Sequence, residues 1–297
     1  MNEVRKFAIL MNPTSAGGKP LRLLPEVKKE LEAAGAPYRV IETQDLAHAI
    51  HAARDAAEKS EVVVALGGDG LVGTLAGALS GSTPLGVLPG GRGNDFARAI
   101  GIPQDIPGAC NVLLTGVRKA LDLGEANGQP FACVASTGYD AVANRLANEA
   151  RLVRGNLVYA YAALRALAGW KPASFTVRVD GREHRFVGYS VAAANTAYYG
   201  GGMHVAPGAD PSDGVLEVLF LEEVSKRHFL TKVLPKAFKG EHVNDKSVKV
   251  FRGHEVEITA DRPFDVYADG EPITTLPATV RLVRGGLSVI APRSETS

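Results

Sequence analysis

Two apolar runs of strand length each end in a cluster of glycines, and this repetition narrows the folds open to the chain. Val62-Val63-Val64-Ala65-Leu66 leads into Gly67-Gly68-Asp69-Gly70, and Leu85-Gly86-Val87 leads into Leu88-Pro89-Gly90-Gly91-Arg92-Gly93-Asn94. A short apolar run bounded by turn residues reads as a buried strand. Neighbouring parallel strands would place both loops on one sheet edge, where open α/β folds bind ligands. Glycine leaves backbone N–H groups unshielded, so a polyphosphate can approach them. Asp69 is the only charge in the first loop, placed to hold a metal or orient a hydroxyl. The bland alternative is a glycine-rich turn with an Asx bend.

A third strand-and-loop unit opens the chain: Ala8-Ile9-Leu10-Met11 runs into Asn12-Pro13-Thr14-Ser15-Ala16-Gly17-Gly18-Lys19. Short polar side chains there can hydrogen-bond phosphate oxygens, and Lys19 adds positive charge. The spacing is not that of a Walker loop. From about Lys6 to Gly124 strand and helix patterns alternate, the signature of a parallel α/β sheet. The expected order is strand 7–11, helix 21–34, strand 38–42, helix 46–58, strand 62–66, a small-residue helix from Leu71, strand 85–88, helix 94–99, helix 105–115 and strand 118–123. After Gly124 the pattern turns to hairpins, with strands expected at 131–136, 174–179, 184–193, 215–221, 247–252, 255–259, 264–268 and 278–282. A helical stretch from Ala141 to Ala168 interrupts them. The fold class is therefore an α/β, Rossmann-like first domain over 1–124 and a mainly antiparallel β second domain over 125–297. Whether the last residues return to the first domain is left open.

At 297 residues the chain is long enough for two cores, and its net charge of +1 gives no global case for a nucleic-acid partner. Cys110 and Cys133 lack metal-ligand spacing, read as core residues and fit a reducing cytoplasm. Phe7 to Met11 is too short for a signal peptide. The charge-free span from Gly70 to Gly91 could cross a bilayer by length, but its glycines, prolines and Ser80, Ser82 and Thr83 break it into helix, turn and strand.

Asn12-Pro13-Thr14-Ser15, the Gly67 to Gly70 tetrad, Gly93-Asn94-Asp95-Phe96-Ala97-Arg98, Tyr199-Gly200-Gly201-Gly202-Met203, Asp213-Gly214 and Asp269-Gly270-Glu271 occur in the order found in the bacterial diacylglycerol kinase family, which is related to the sphingosine and ceramide kinases. The chain resembles that family along nearly its whole length. The tetrad alone is shared with NAD kinases and phosphofructokinases. The resemblance implies a nucleotide domain of NAD kinase topology, a β-rich second domain, an active cleft between them, ATP and Mg²⁺ as cofactors, and a lipid substrate.

Phosphoryl transfer needs donors for the phosphate oxygens, a divalent metal and a group that positions or deprotonates the acceptor hydroxyl. By resemblance, Asn12, Pro13, Thr14, Ser15 and Ala16, Gly67, Gly68, Asp69 and Gly70, and Gly91, Arg92, Gly93 and Asn94 form the ATP cradle. Thr43 matches a nucleotide-contacting threonine, with a helix N-cap as the alternative. Glu271 resembles the general base, set after a tight Asp269-Gly270 turn; the alternative is an exposed hairpin glutamate. Asp69 would act near the γ-phosphate, with Asp95 and Asp122 supporting its metal-water network unless they cap a helix or close a turn. Asp210, Asp213 and the carbonyl of Val215 correspond to a structural Mg²⁺ site in the family, though the bare sequence also fits an ordinary Asp-Gly turn.

The chain departs from the family where Leu71, Arg92 and Gly73 stand at positions usually held by Thr, Thr and Asn. Arg92 could supply a charged phosphate contact instead of a hydroxyl. A basic amphipathic stretch, Lys226, Arg227, Lys232, Lys236 and Lys239 interleaved with Phe229, Leu230, Val233, Leu234 and Phe238, suits an anionic membrane surface. So does the region of Arg151, Arg154, Tyr159, Tyr161, Arg165, Trp170 and Lys171; a solvated helix face is the plain alternative for both. The expectation is a cytoplasmic, peripherally membrane-associated lipid kinase that meets its substrate at the membrane surface, with a homodimer compatible with the chain. A soluble NAD kinase-type enzyme and a nucleotide sensor without turnover are the competing readings.

Overall fold

The computed structural model describes residues 5–59, 61–79, 81, 83–150 and 157–293. The chain divides into two compact units: residues up to Leu123 together with those from Arg284 onward, and Gly124–Val283.

In the first unit, β1 (Phe7–Met11), β2 (Tyr38–Glu42), β3 (Val62–Gly67) and β4 (Leu85–Pro89) run parallel in the order β4-β3-β1-β2. The connections carry α1 (Lys19–Ala33), α2 (Leu46–Glu58) and α3 (Asp69–Leu79). Every residue of β1, β3 and β4 is buried, which is why these strands read as continuous apolar runs rather than as an alternation. β2 is only partly covered, and its Arg39 bonds Glu61 and Asp55. After β4 come α4 (Asp95–Ala99), α5 (Ile106–Thr115) and β5 (Val117–Ala126). Helix starts carry the expected chemistry: Asp45 caps α2 by accepting from the His48 amide at 2.7 Å, and Asp105 caps α5 by accepting from Gly108 at 2.8 Å. Thr43 is therefore not an N-cap.

The second unit is antiparallel. Its elements are the end of β5 with β6 (Gln129–Phe131), β7 (Val134–Gly138), α6 (Tyr139–Glu149), α7 (Leu157–Gly169), β8 (Ala173–Val179), β9 (Arg182–Ala194), β10 (Leu216–Glu222), β11 (Val248–Gly253), β12 (Glu255–Ala260), β13 (Asp265–Ala268) and β14 (Glu271–Thr275). The last strand, β15 (Ala278–Ala291), supplies residues 278–281 to this unit through β12, while Val289 pairs with Leu85 of β4 in the first. β9 is the hub, pairing with β7, β8 and β10. Its core gathers Phe131, Phe175, Val191, Val218, Phe220, Val256 and Ile258. Cys110 and Cys133 are free and buried, and burial pushes the Cys110 thiol up to about 12.

Two expectations need correction, and one strand was not expected. The single strand expected over 131–136 is two strands, because the amides of Ala132 and Cys133 bond the Asp269 carboxylate at 2.6 and 2.9 Å instead of continuing a ladder. The strand β14 carries no apolar alternation in Glu271-Pro272-Ile273-Thr274-Thr275, and sequence reasoning missed it. The expected helix 141–168 is two helices, and residues 151–156 between them lie outside the described residues.

Candidate active site

In the first unit the register decides where the loops meet. Gly67 lies opposite Pro89, so the glycines that follow each strand emerge at one level. The backbones touch: a Cβ on Gly91 would lie 2.3 Å from the Gly68 Cα, and one on Gly90 would lie 3.1 Å from the Gly67 nitrogen. Only glycine permits this approach. Gly90 N–H donates to the Gly67 carbonyl at 2.9 Å. Asn94, left-handed at φ 54°, turns its Oδ1 back to accept from Gly91 N–H at 2.8 Å. The first loop joins the same assembly, since Lys19 Nζ donates to the Gly91 carbonyl at 2.9 Å. Lys19 thus binds loop to loop, a role its sequence position did not reveal.

Asp69 bridges the tetrad to the second loop. Its Oδ1 accepts from the Phe96 amide at 2.9 Å, supplying the side-chain cap that Asn94 does not give α4. Burial raises the Asp69 pKa, against the opposing pull of the Phe96, Asp95, Asp69 and Asn94 amides. The first amides of α4 are therefore partly engaged by Asp69, and the residue has a structural role that the sequence did not show. Asp95 is buried in the first turn of α4. Asp122 is buried and accepts from Gly285 N–H at 2.8 Å.

The remaining nucleotide candidates divide. Asn12 Oδ1 accepts from both the amide and the hydroxyl of Thr14, at 2.9 and 2.8 Å, and the Ser15 hydroxyl donates to the Asn12 carbonyl. Pro13 and Ala16 complete this turn, with Ala16 left-handed at φ 48°. Thr43 is buried, its hydroxyl donating to the Met11 carbonyl at 3.1 Å, which holds β2 beside the end of β1. Gly70 accepts from the Thr74 hydroxyl within α3. Leu71 packs over Gly67, with its Cδ2 2.9 Å from where a Cβ would be. Arg92 is exposed beside Gly93 and has no hydrogen bond or ion pair among the described residues.

In the second unit, Glu271 opens β14 directly after the turn Asp269-Gly270, whose φ values are 52° and 91°. The turn is clamped from two sides. Asp269 takes the Ala132 and Cys133 amides, and Asn148 of α6 donates to the Gly270 carbonyl at 2.9 Å. Asp269 was legible only as a turn residue, and Asn148 gave no signal at all. The Glu271 side chain is exposed overall, but its carboxylate is set against protein, and that desolvation raises its pKa above the ordinary glutamate value. The clamp fixes the backbone from which Glu271 projects, and the raised pKa gives its carboxylate increased basicity, a property that suits a general base.

The Asp210–Val215 segment is a turn. Asp210 Oδ1 accepts from the amide and hydroxyl of Ser212, Asp213 Oδ1 accepts from Val215 N–H, and Asp213 Oδ2 pairs with Arg252. The Arg252 guanidinium is paired with Asp213 Oδ2, so a cation held by Asp210, Asp213 and the Val215 carbonyl would have to displace Arg252 from that oxygen. Among the described residues no cluster of three or more His, Cys, Asp or Glu side chains could hold a metal ion.

The second unit also forms a partly open apolar cavity of about 150 Å³. The Tyr199 to Met203 motif builds part of its wall: Tyr199 and Met203 exchange backbone bonds around Gly200, Gly201 and Gly202, all with positive φ. The basic stretch builds another part. Residues 226–237 are helical with a π turn over Phe229–Val233, and Phe229, Val233, Leu234 and Ala237 line the cavity. Its apolar stripe therefore faces inward rather than toward a membrane, leaving Lys226, Arg227, Lys232, Lys236, Phe238 and Lys239 exposed. In the other expected membrane region, Trp170 is buried, with ring centroids 5.7 Å from Tyr139 and 6.0 Å from Tyr189. Tyr161, Arg165 and Lys171 are exposed, while Arg151 and Arg154 lie outside the described residues and the Tyr159 side chain is not described. No helix among the described residues is long and apolar enough to cross a membrane.

Comparison with known proteins matches both units. Residues 6–126 match the diacylglycerol kinase catalytic domain, and residues 133–291 match the YegS C-terminal NAD kinase beta sandwich-like domain. The diacylglycerol kinase of Mycobacterium tuberculosis strain H37Rv is 33% identical, covering 98% of this chain and 97% of the relative. That of Bacillus subtilis strain 168 is 27% identical, covering 98% of each. A solved diacylglycerol kinase structure from Bacillus anthracis str. Sterne superposes with a TM-score of 0.76 at 19% identity over 99% of both chains, a likeness of fold. With both family domains in order and a relative at this identity over nearly its whole length, the chain belongs to the bacterial diacylglycerol kinase family and is a lipid kinase.

Proposed function

We propose that the chain transfers the γ-phosphoryl group of ATP to the hydroxyl of diacylglycerol or a similar long-chain lipid. The observation that carries this reading is the apolar cavity of the second unit: part of a lipid chain suits such a space, whereas the polar acceptor of an NAD kinase-type enzyme does not. The touching glycine loops offer backbone N–H groups to the nucleotide phosphates, with Arg92 free to add a charged contact. Mg²⁺ would arrive with the nucleotide, supported through water by Asp69, Asp95 and Asp122, and would supply charge neutralisation at the phosphates. Glu271 accepts the proton of the attacking lipid hydroxyl, aimed by the Asp269 and Asn148 clamp. The lipid is met at a membrane surface, where the exposed Lys226, Arg227, Lys232, Lys236 and Lys239 favour anionic headgroups.

The test is a panel of lipids, with NAD as a soluble control, incubated with labelled ATP and Mg²⁺. Label should pass to a lipid and not to NAD; transfer to NAD alone overturns the reading. Glu271→Gln keeps size and hydrogen-bonding reach but removes basicity, so kcat should fall by about 10²–10⁴-fold while ATP affinity holds. An undiminished kcat removes Glu271 from the mechanism. A nucleotide sensor would show ATP binding and no transfer in either protein.

A further inference from the structure

His242 is buried, at 7% exposure, and lines the apolar cavity. One ring nitrogen is bonded to the backbone of Val205, while Nδ1 is buried and has no hydrogen-bond partner among the described residues. Burial also lowers the His242 pKa, so the ring is neutral and Nδ1 is a bare acceptor. A buried acceptor left unmatched destabilises a fold, and its presence is accounted for when a ligand completes it. Asp140, on the same lining and bonded to Ser190, is a further acceptor. The wall itself is irregular here, since Phe229 and Val233 bound a π turn, a distortion often found where helices meet ligands.

Resting on the lipid-kinase reading, we infer that this cavity selects an acceptor lipid with a hydrogen-bond donor in its buried part, a hydroxyl or N–H distinct from the hydroxyl that is phosphorylated, and that His242 Nδ1 accepts from it. The cavity is partly open, so it takes part of one lipid chain with its linkage while the rest of the lipid extends beyond it. A diester lipid would bring ester carbonyls, which are acceptors, against an acceptor. A single-chain lipid with a free second hydroxyl, or a long-chain amino alcohol, brings a donor for His242 Nδ1.

The experiment compares a 1-monoacylglycerol with the monoester of 1,3-propanediol bearing the same chain, which differ by one hydroxyl. Wild-type kcat/KM should favour the former by about tenfold or more, because a site built to pair a hydroxyl rejects the analogue lacking it. His242→Phe should bring the ratio close to one, and His242→Asn, which returns an acceptor near the Nδ1 position, should restore part of it. Binding without ATP is read in parallel from the fluorescence of Trp170, the only tryptophan, which packs against the cavity residue Tyr139. Absence of turnover with every lipid, combined with tighter binding of the monoacylglycerol to wild type than to His242→Phe, would defeat the kinase reading and leave this one standing. Equal kcat/KM and equal binding of the two lipids by wild type, or a preference that survives in His242→Phe, would overturn it.

Discussion

Asp140 offers a quantitative test of how the cavity is maintained. It stands in the first turn of α6 on the cavity lining, and burial pushes its pKa up to about 6 in spite of the Ser190 hydrogen bond. An unfolded aspartate titrates near 3.9. The folded chain therefore keeps the proton to higher pH than the unfolded chain does, and unfolding between these values releases it. Stability falls as pH rises from about 4 to about 6 and stays reduced above that window. A difference of about two pK units at 1.36 kcal/mol each amounts to about 3 kcal/mol at pH 7. Asp140→Asn keeps the shape and a hydrogen-bonding oxygen for Ser190 but cannot ionise. It should match wild type near pH 4 and exceed it by up to about 3 kcal/mol at pH 7 to 8. Urea unfolding followed by Trp170 fluorescence reports the second unit alone, which matters because a chain of two units need not unfold in one step. With m near 1–3 kcal/mol/M the midpoint should move upward by about 1 M or more at pH 7. A wild-type to mutant difference that does not change between pH 4 and 8 would refute the reasoning, showing that the carboxyl ionises as freely in the folded state as in the unfolded one.

Three further outcomes are expected. Asp69→Ala should lose turnover and also about 0.5–2 kcal/mol of stability, because it removes the cap on α4; Asp69→Asn should recover the stability without the turnover, and full activity of Asp69→Asn would show that the charge is not needed. Arg92→Ala should raise the KM for ATP with an unchanged melting temperature, since the side chain has no partner among the described residues; unchanged kinetics would show that it points away from the nucleotide. Gly91→Ala forces a methyl to 2.3 Å from the Gly68 backbone, so thermal melting should report a loss of about 1–3 kcal/mol and calorimetry a weaker ATP complex; native values of both would mean the loops have slack that their contact does not suggest.

Local pattern determined the alternation of strands and helices in the first unit and the hairpin character of the second. Buried parallel strands need uninterrupted apolar runs, and glycines at their ends mark close backbone approach. Glu271 was singled out by the family resemblance, on an Asp-Gly turn that the sequence did show, while the strand it opens was not expected. Tertiary structure alone decided what each polar group does. Asp69 caps α4 across 27 positions, Asp269 holds the amides of Ala132 and Cys133, Asn148 secures Gly270, and Arg252 takes the Asp213 carboxylate. The basic stretch read as a surface feature, yet its apolar residues line a cavity, since periodicity identifies an apolar face without naming what covers it. The His242 nitrogen, which has no partner among the described residues, could not be foreseen either: the cavity that His242 lines is built from β10, α6 and the helical segment 226–237, far apart in the sequence.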